Sequence, residues 1–318
     1  MHVLRDPLRS TDLPRGGVAT IGNFDGVHRG HRRILETVVE HARAAGRPSI
    51  AITFEPHPLS VLRPDHAPPR LQTLRQKEEA LESLGIEWLL VIPFTRDFSL
   101  TEPEDFAREF LAERLRVSEV VLGAHFAFGR GKRGDLALLR RLGPECGFAA
   151  CGVEEVFHDG QPISSTRIRE ALGRGEARLA AELLGREYEI DGLVARGERV
   201  GRKIGYPTIN LSPENEISPA DGVYVTRIGI RSFGRLFDSV TNIGRRPTVY
   251  EDFATTIETY VMDFHSNVYG ERVRLFFYDR LREERTFPSV MALTEQIGRD
   301  IEAARAYFAG TGAPPEPA

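Results

Sequence analysis

The sequence predicts an α/β fold: a parallel-sheet domain, then an all-β barrel that ends in a helix, and three observations carry that expectation. Up to about residue 184 short apolar runs alternate with helix-period segments, as in a parallel sheet whose crossovers are helices. Beyond it, strand-like runs follow one another with Gly, Pro and Asp turns between them. The length, 318 residues, exceeds what one core ordinarily serves. Two domains are therefore expected, 1–184 and 185–308, followed by 309–318, which lacks apolar surface and is expected to be disordered.

In the first half VATIG (18–22) reads as a strand, followed by a helix to about Ala45. SIAITF (49–54), a helix through Leu81 and WLLVI (88–92) continue the alternation. A helix over 103–115, EVVLG (119–123), a helix over 136–142 and AACGVEEV near 150 complete it. Continuously apolar strands imply a sheet covered on both faces. Gly46 and Gly85 fall just after helical segments, where a residue free to take positive φ ends a helix cheaply.

The second half presents YEIDGLVA (188–195), GVYVTRIGI (222–230), RLFDSVTNIG (235–244), TIETYVMDF (256–264) and RVRLFFYD (272–279). In 289–308, Val290, Leu293, Ile297, Ile301 and Ala304 recur at threes and fours, an amphipathic helix that would cover the barrel.

Composition excludes several classes of function. With 42 Lys+Arg against 46 Asp+Glu, and no excess of positive charge in either half, long nucleic acids are not expected partners. Cys146 and Cys151 read as buried small hydrophobes rather than a disulfide or metal pair. The first residues are too polar for a signal peptide, and no apolar run reaches the roughly 18 residues a membrane helix requires. A cytoplasmic protein with no membrane partner is the expectation.

Two stretches carry chemistry. GNFDGVHRGH (22–31) joins a strand to a helix through a Gly-containing turn, so backbone N–H groups at the helix start would face an anion. His28 and His31, three apart, fall on one helix face and could both donate to a phosphate. A His-x-x-His pair by itself equally describes a solvated face or a weak zinc site, though a third ligand is not close in sequence. In ISSTRIR (163–169), Ser164, Ser165 and Thr166 stand at a helix start, with Arg167 and Arg169 following. Cations there oppose the helix dipole, which a polyphosphate facing Arg169 would explain.

The other stretch, GRKIGYPTIN (201–210), is a plausible phosphate-cradling loop without the Walker pattern. If extended, it presents the oxygens of Thr208 and Asn210 on one side, compatible with magnesium or with an ordinary capped strand. On alternation alone Glu258, Tyr260 and Met262 share one face of their strand, so Glu258 is also compatible with simple exposure to solvent.

GNFDGVHRGH with ISSTRIR resembles the HxGH nucleotidyltransferases, which implies a Rossmann-like N-terminal domain. TFEPHP (53–58) and LGAHFAFGRGKRG (122–134) resemble their FMN adenylyltransferase branch. That resemblance implies an ATP site at Gly22, Asn23, Phe24, Asp25, His28, Gly30, His31, Ser164, Ser165, Thr166 and Arg169, with His28, His31 and Arg169 catalytic. It implies a flavin rim of Phe54, Pro56, Pro58, His125, Phe126 and Phe128. His125 departs from the more usual Asp or Asn, although an imidazole can still make one hydrogen bond there.

GRKIGYPTINL, DGVYV, TNIGRRPT, IETYVMDF with NVYG, and REERTFPSVMALTEQI are similar in order to riboflavin kinases over 186–308. The resemblance implies ATP contacts at Gly201, Arg202, Lys203, Gly205, Thr208 and Asn210, magnesium on Thr208 and Asn210, and Glu258 as catalytic base. Asn242, Arg245 and Arg246, on a TNIGRRPT turn, would border the entrance. NVYG stands where Asp-Leu-Tyr-Gly is more usual.

Together the halves resemble the bacterial riboflavin kinase/FMN adenylyltransferase family, also called FAD synthetases. The implied partners are riboflavin, FMN, FAD, ATP, ADP and pyrophosphate, with Mg2+ as cofactor. Two other readings fit fewer residues: a kinase with an altered adenylyltransferase half, and a flavin or nucleotide sensor without turnover.

Overall fold

The computed structural model describes residues 1–196, 201, 204–247 and 253–310. They form two compact units: Met1–Pro69 with Leu74–Ser164, and Arg70–Thr73 with Ser165–Ala318.

The first unit is built on six parallel strands: β1 (His2–Arg5), β2 (Val18–Ile21), β3 (Ser49–Glu55), β4 (Trp88–Pro93), β5 (Glu119–Gly123) and β6 (Ala149–Val153). Their order is β1-β4-β3-β2-β5-β6. Strand alternation splits the apolar residues into two cores. Ile50, Ile52, Leu90, Ile92, Val120 and Leu122 pack with Phe106, Phe110, Leu111, Leu138 and Leu139 on one face. Ala51, Leu89, Val91 and Val121 pack with Leu35, Val38, Ala42 and Leu81 on the other. This is the double coverage expected of a parallel sheet.

Several elements differ from expectation. β1 was not foreseen; it pairs with β4 from His2↔Trp88 to Arg5↔Val91. The 103–115 helix is one short α-turn, Pro103–Asp105, continued by a π-helix, Phe106–Arg114, whose wider winding closes with Leu115 N–H donating to the Phe110 carbonyl at 3.0 Å. The helix from Leu136 continues past Leu142 to Cys146, and Gly147 in the left-handed region caps it. Cys146 and Cys151 are half-buried rather than buried, and both are free thiols.

In the second unit, β9 (Tyr188–Ala195), β10 (Thr208–Pro213), β11 (Gly222–Ile230), β12 (Arg235–Pro247), β13 (Phe253–Val261) and β14 (Arg272–Arg282) close into an antiparallel barrel. Between β6 and β9 a small hairpin, β7 (Phe157–His158) and β8 (Gln161–Pro162), leads into the helices Ser165–Gly173 and Ala177–Leu184. Inside the barrel Thr226 shares hydrogen bonds with Ser239 and Thr241, both at 2.8 Å, and Thr241 with Thr259 at 2.9 Å. Burying hydroxyls is inexpensive when they satisfy one another. The outer face, with Val223, Val225, Val240, Met262, Phe276 and Tyr278, packs against Ile301 and Ala304 of the terminal helix Val290–Gly310. Here TNIGRRP is not a turn: it is the end of β12, paired with β13 through Pro247↔Phe253. The helix continues through Gly310, so Ala309 and Gly310 are helical rather than disordered; 311–318 lie outside the described residues.

Two candidate active sites

In the first unit the chain leaves β2 for β3 on one side, and returns after β4 to lay β5 on the other. Such a reversal opens a crevice at the carboxyl ends of the central strands, where open α/β sheets bind ligands. Residues 22–28 lie there. Gly22 accepts no side chain: a Cβ would stand 2.8 Å from the Phe24 ring. Phe24 and Val27 hold φ of 46° and 38°, a costly conformation for side-chain-bearing residues and one that clusters at binding loops. Phe24 and Asp25 are buried.

The helix Arg29–Ala45 follows, and its first turn sets both histidines. His28 caps it rather than lying within it: its Nδ1 accepts the His31 backbone N–H at 3.3 Å. That bond fixes the proton of the neutral ring on Nε2. The two rings are stacked at 3.7 Å with 17° between planes, and Phe24 meets His31 edge-on at 5.4 Å. His31 Nδ1 is sealed from solvent without a hydrogen-bond partner. Burial above all, then the His28 and Lys77 charges, pushes the His31 pKa well below its ordinary value. His31 is thus a neutral imidazole near pH 7, suited to hydrogen bonding rather than to carrying charge.

Sequence reasoning missed Lys77. It is buried on the helix Leu74–Ser83, and its Nζ donates to the Asn23 carbonyl at 2.8 Å. The available signal was a lysine four positions before Leu81 on the apolar stripe of that helix.

The expected flavin rim divides. Phe54 and Phe128 are core residues, in an aromatic series with Phe94, Phe98 and Phe106. Phe126 is half-buried and stacks on Phe128 at 6.5 Å. Pro56 is exposed, and Pro58 opens the short helix Pro58–Leu62. His125 is largely exposed, with Nε2 3.7 Å from the Glu155 carboxylate. Ser164 closes the first unit. Ser165, Thr166 and Arg169 lie on the helix Ser165–Gly173, assigned to the second.

Before the barrel strand β10, the Ile204 and Tyr206 N–H groups both donate to the Gly201 carbonyl, at 3.2 and 2.8 Å, around a turn at Ile204 and Gly205. A Cβ on Gly201 would stand 2.3 Å from the Tyr206 carbonyl oxygen, so only glycine fits. Arg202 and Lys203 lie outside the described residues. The turn feeds β10, which is extended, so Thr208 and Asn210 share a face. Asn210 is directly opposite Glu258 of β13, and Glu258 is directly opposite Asn242 of β12. The register thus aligns Asn210, Glu258 and Asn242 on the face carrying the terminal helix. All three are half-buried. Arg245 is largely exposed and paired with Asp221 at 3.1 Å, while the Arg246 side chain lies outside the described residues.

Beside Thr208 opens a cavity of about 470 Å³, lined by Val194, Pro207, Ile209, Val261 and residues 264–269. Neutral oxygens of Thr208 and Asn210 next to a carboxylate are donors of the kind a hard divalent cation prefers. Among the described residues no cluster of three or more His, Cys, Asp or Glu side chains forms a metal site.

The fold is that of a nucleotidyltransferase-type parallel sheet followed by a riboflavin-kinase-type antiparallel barrel. The FAD synthetase family matches residues 10–167 and the riboflavin kinase family residues 184–308. The bifunctional riboflavin kinase/FMN adenylyltransferase of Escherichia coli K12 is 36% identical over 310 residues, covering 97% of this chain and 98% of that protein. That of Pseudomonas fluorescens is 38% identical over 295 residues, covering 93% and 94%. A crystal structure from Streptococcus pneumoniae, described as a macrolide-efflux protein, superposes with a TM-score of 0.89 at 28% identity, covering 96% of this chain and 99% of that one. Among the described residues no helix is long and apolar enough to cross a membrane. The chain belongs to the bifunctional riboflavin kinase/FMN adenylyltransferase family.

Proposed function

We propose that this enzyme makes FAD from riboflavin in two ATP-dependent steps, divided between residues 185–308 and 1–184, with a cytoplasmic setting. The carrying observation is the register that brings Glu258 opposite Asn210 on one side and Asn242 on the other.

In the kinase step Glu258 takes the proton of the riboflavin 5′-hydroxyl while that oxygen bonds to the γ-phosphorus of ATP and ADP leaves. Thr208 and Asn210 are the residues that would hold magnesium, whose charge, when bound, offsets that of the phosphates. The cavity beside Thr208 takes the nucleoside end of ATP, and Gly201 and Gly205 lie at its phosphates, with Arg202 and Lys203 assigned there by motif alone.

In the adenylyl step an FMN phosphate oxygen attacks the α-phosphorus of a second ATP and pyrophosphate departs. His28, through Nε2–H, and His31 donate to the phosphate oxygens on which charge builds. Each such donor is worth about 3 kcal/mol of barrier, by comparison with oxyanion-hole losses. Gly22, Asn23, Asp25 and Gly30 shape the loop, and Phe24 supports it from below. Ser164, Ser165, Thr166 and Arg169 are given phosphate contacts on the sequence motif alone. Pro56, Pro58, His125 and Phe126 remain proposed flavin contacts, with Phe54 and Phe128 backing them from the core.

Separate assays test the division. Riboflavin with ATP and magnesium should yield FMN and then FAD, and FMN with ATP should yield FAD and pyrophosphate. Failure of supplied FMN to become FAD would leave only a kinase.

A further inference from the structure

We propose that Lys77 is a positioning residue for adenylyl transfer, anchoring the Asn23 peptide so that the 22–28 loop keeps its shape. The proposal rests on the reading that this loop is the adenylyl site.

A buried ammonium is costly, and an apolar side chain would serve the packing of helix Leu74–Ser83 better. Lys77 nevertheless lies under the loop, with Nζ 2.8 Å from the Asn23 carbonyl oxygen and 3.5 Å from Thr53 Oγ1. Thr53, at the end of β3, donates its own hydroxyl to the same carbonyl at 3.3 Å. One carbonyl therefore receives two side-chain donors, from a helix and from a strand.

A trans peptide sets its C=O and N–H in opposite directions. Turning the Asn23 carbonyl onto Lys77 therefore turns the Phe24 N–H away from the ammonium. It also holds Phe24 at its positive φ of 46°, a conformation that persists only where the surroundings over-determine it. From Phe24 the consequence passes to His31, whose ring packs edge-on against it. The Lys77 charge further helps keep His31 neutral.

The test uses the full chain, with kcat and KM measured for FAD formation from FMN and ATP in K77M, K77R, T53V and H31A. K77M should lower kcat about 30-fold or more with KM for FMN little changed, and K77R, which restores a cationic donor, should recover about tenfold. FMN formation from riboflavin should be unaffected in both. T53V removes the second donor to the same carbonyl at nearly constant volume and should lower kcat about threefold; it decides the matter if K77M fails to fold. Unchanged kcat in folded K77M, or in T53V, beside an inactive H31A overturns the role of Lys77 and leaves the site reading standing. So does a K77M loss that K77R does not relieve. Full activity in H31A overturns the site reading itself.

Discussion

His31 shows how a single burial sets both chemistry and stability. Its Nδ1 is sealed without a partner, and its pKa is pushed well below 6.5 by that burial and by His28 and Lys77. Below pH about 6.5 the unfolded chain therefore binds a proton that the folded chain refuses. The neutral ring's contribution to stability is full above that pH and is lost as pH falls toward the depressed folded value. Urea midpoints measured from pH 7.5 to pH 5 should decline, and H31Q should flatten part of that decline. Equal slopes in the two proteins would show that His31 titrates normally. At the kinase site, E258Q keeps the shape of the side chain but removes its basicity, and should lower FMN-forming kcat about 100-fold or more in steady-state assays.

At the scale of elements, the terminal helix is pinned to the barrel by a pair between buried Asp300 and half-buried Arg282. Arg282, at the end of β14, donates to Asp300 three times, at 3.1, 3.0 and 2.9 Å, and Gln296 Nε2 adds a fourth bond at 2.7 Å. D300A leaves a half-buried guanidinium without its partner and should destabilise the barrel unit by about 2 kcal/mol in chemical denaturation. A second clamp, Arg227, pairs with Asp238 at 2.8 Å and lies over the Phe308 ring at 4.4 Å.

These elements also show what sequence can reveal. The strands from β2 to β6 and most of the barrel were legible because apolar alternation is imposed by the pleat itself, and Gly46 marked a helix end because left-handed backbone favours glycine. β1 was not, since His2 to Arg5 form a four-residue edge strand whose only apolar residues are Val3 and Leu4, ordered by pairing with β4. TNIGRRP looked like a turn from its glycine and proline, yet cross-strand pairing carries it straight. Local motifs and the family resemblance singled out His28, His31 and Glu258 as candidates. It could not reveal Lys77 under the loop or the Asn210–Glu258–Asn242 alignment, because both are products of register and packing between distant segments.

For the whole molecule, two units that each bury their own core can each support a separate reaction. One side-chain change should therefore silence one step and leave the other intact. Chromatography of products from full-length H31A and E258Q, each supplied first with riboflavin and then with FMN in the presence of ATP and magnesium, tests it directly. H31A should accumulate FMN and form FAD about 100-fold more slowly from either substrate, whereas E258Q should form FMN from riboflavin about 100-fold more slowly or worse and still convert supplied FMN to FAD. Loss of FAD formation from supplied FMN in folded E258Q, loss of FMN formation in folded H31A, or FMN formation undiminished in E258Q would contradict it.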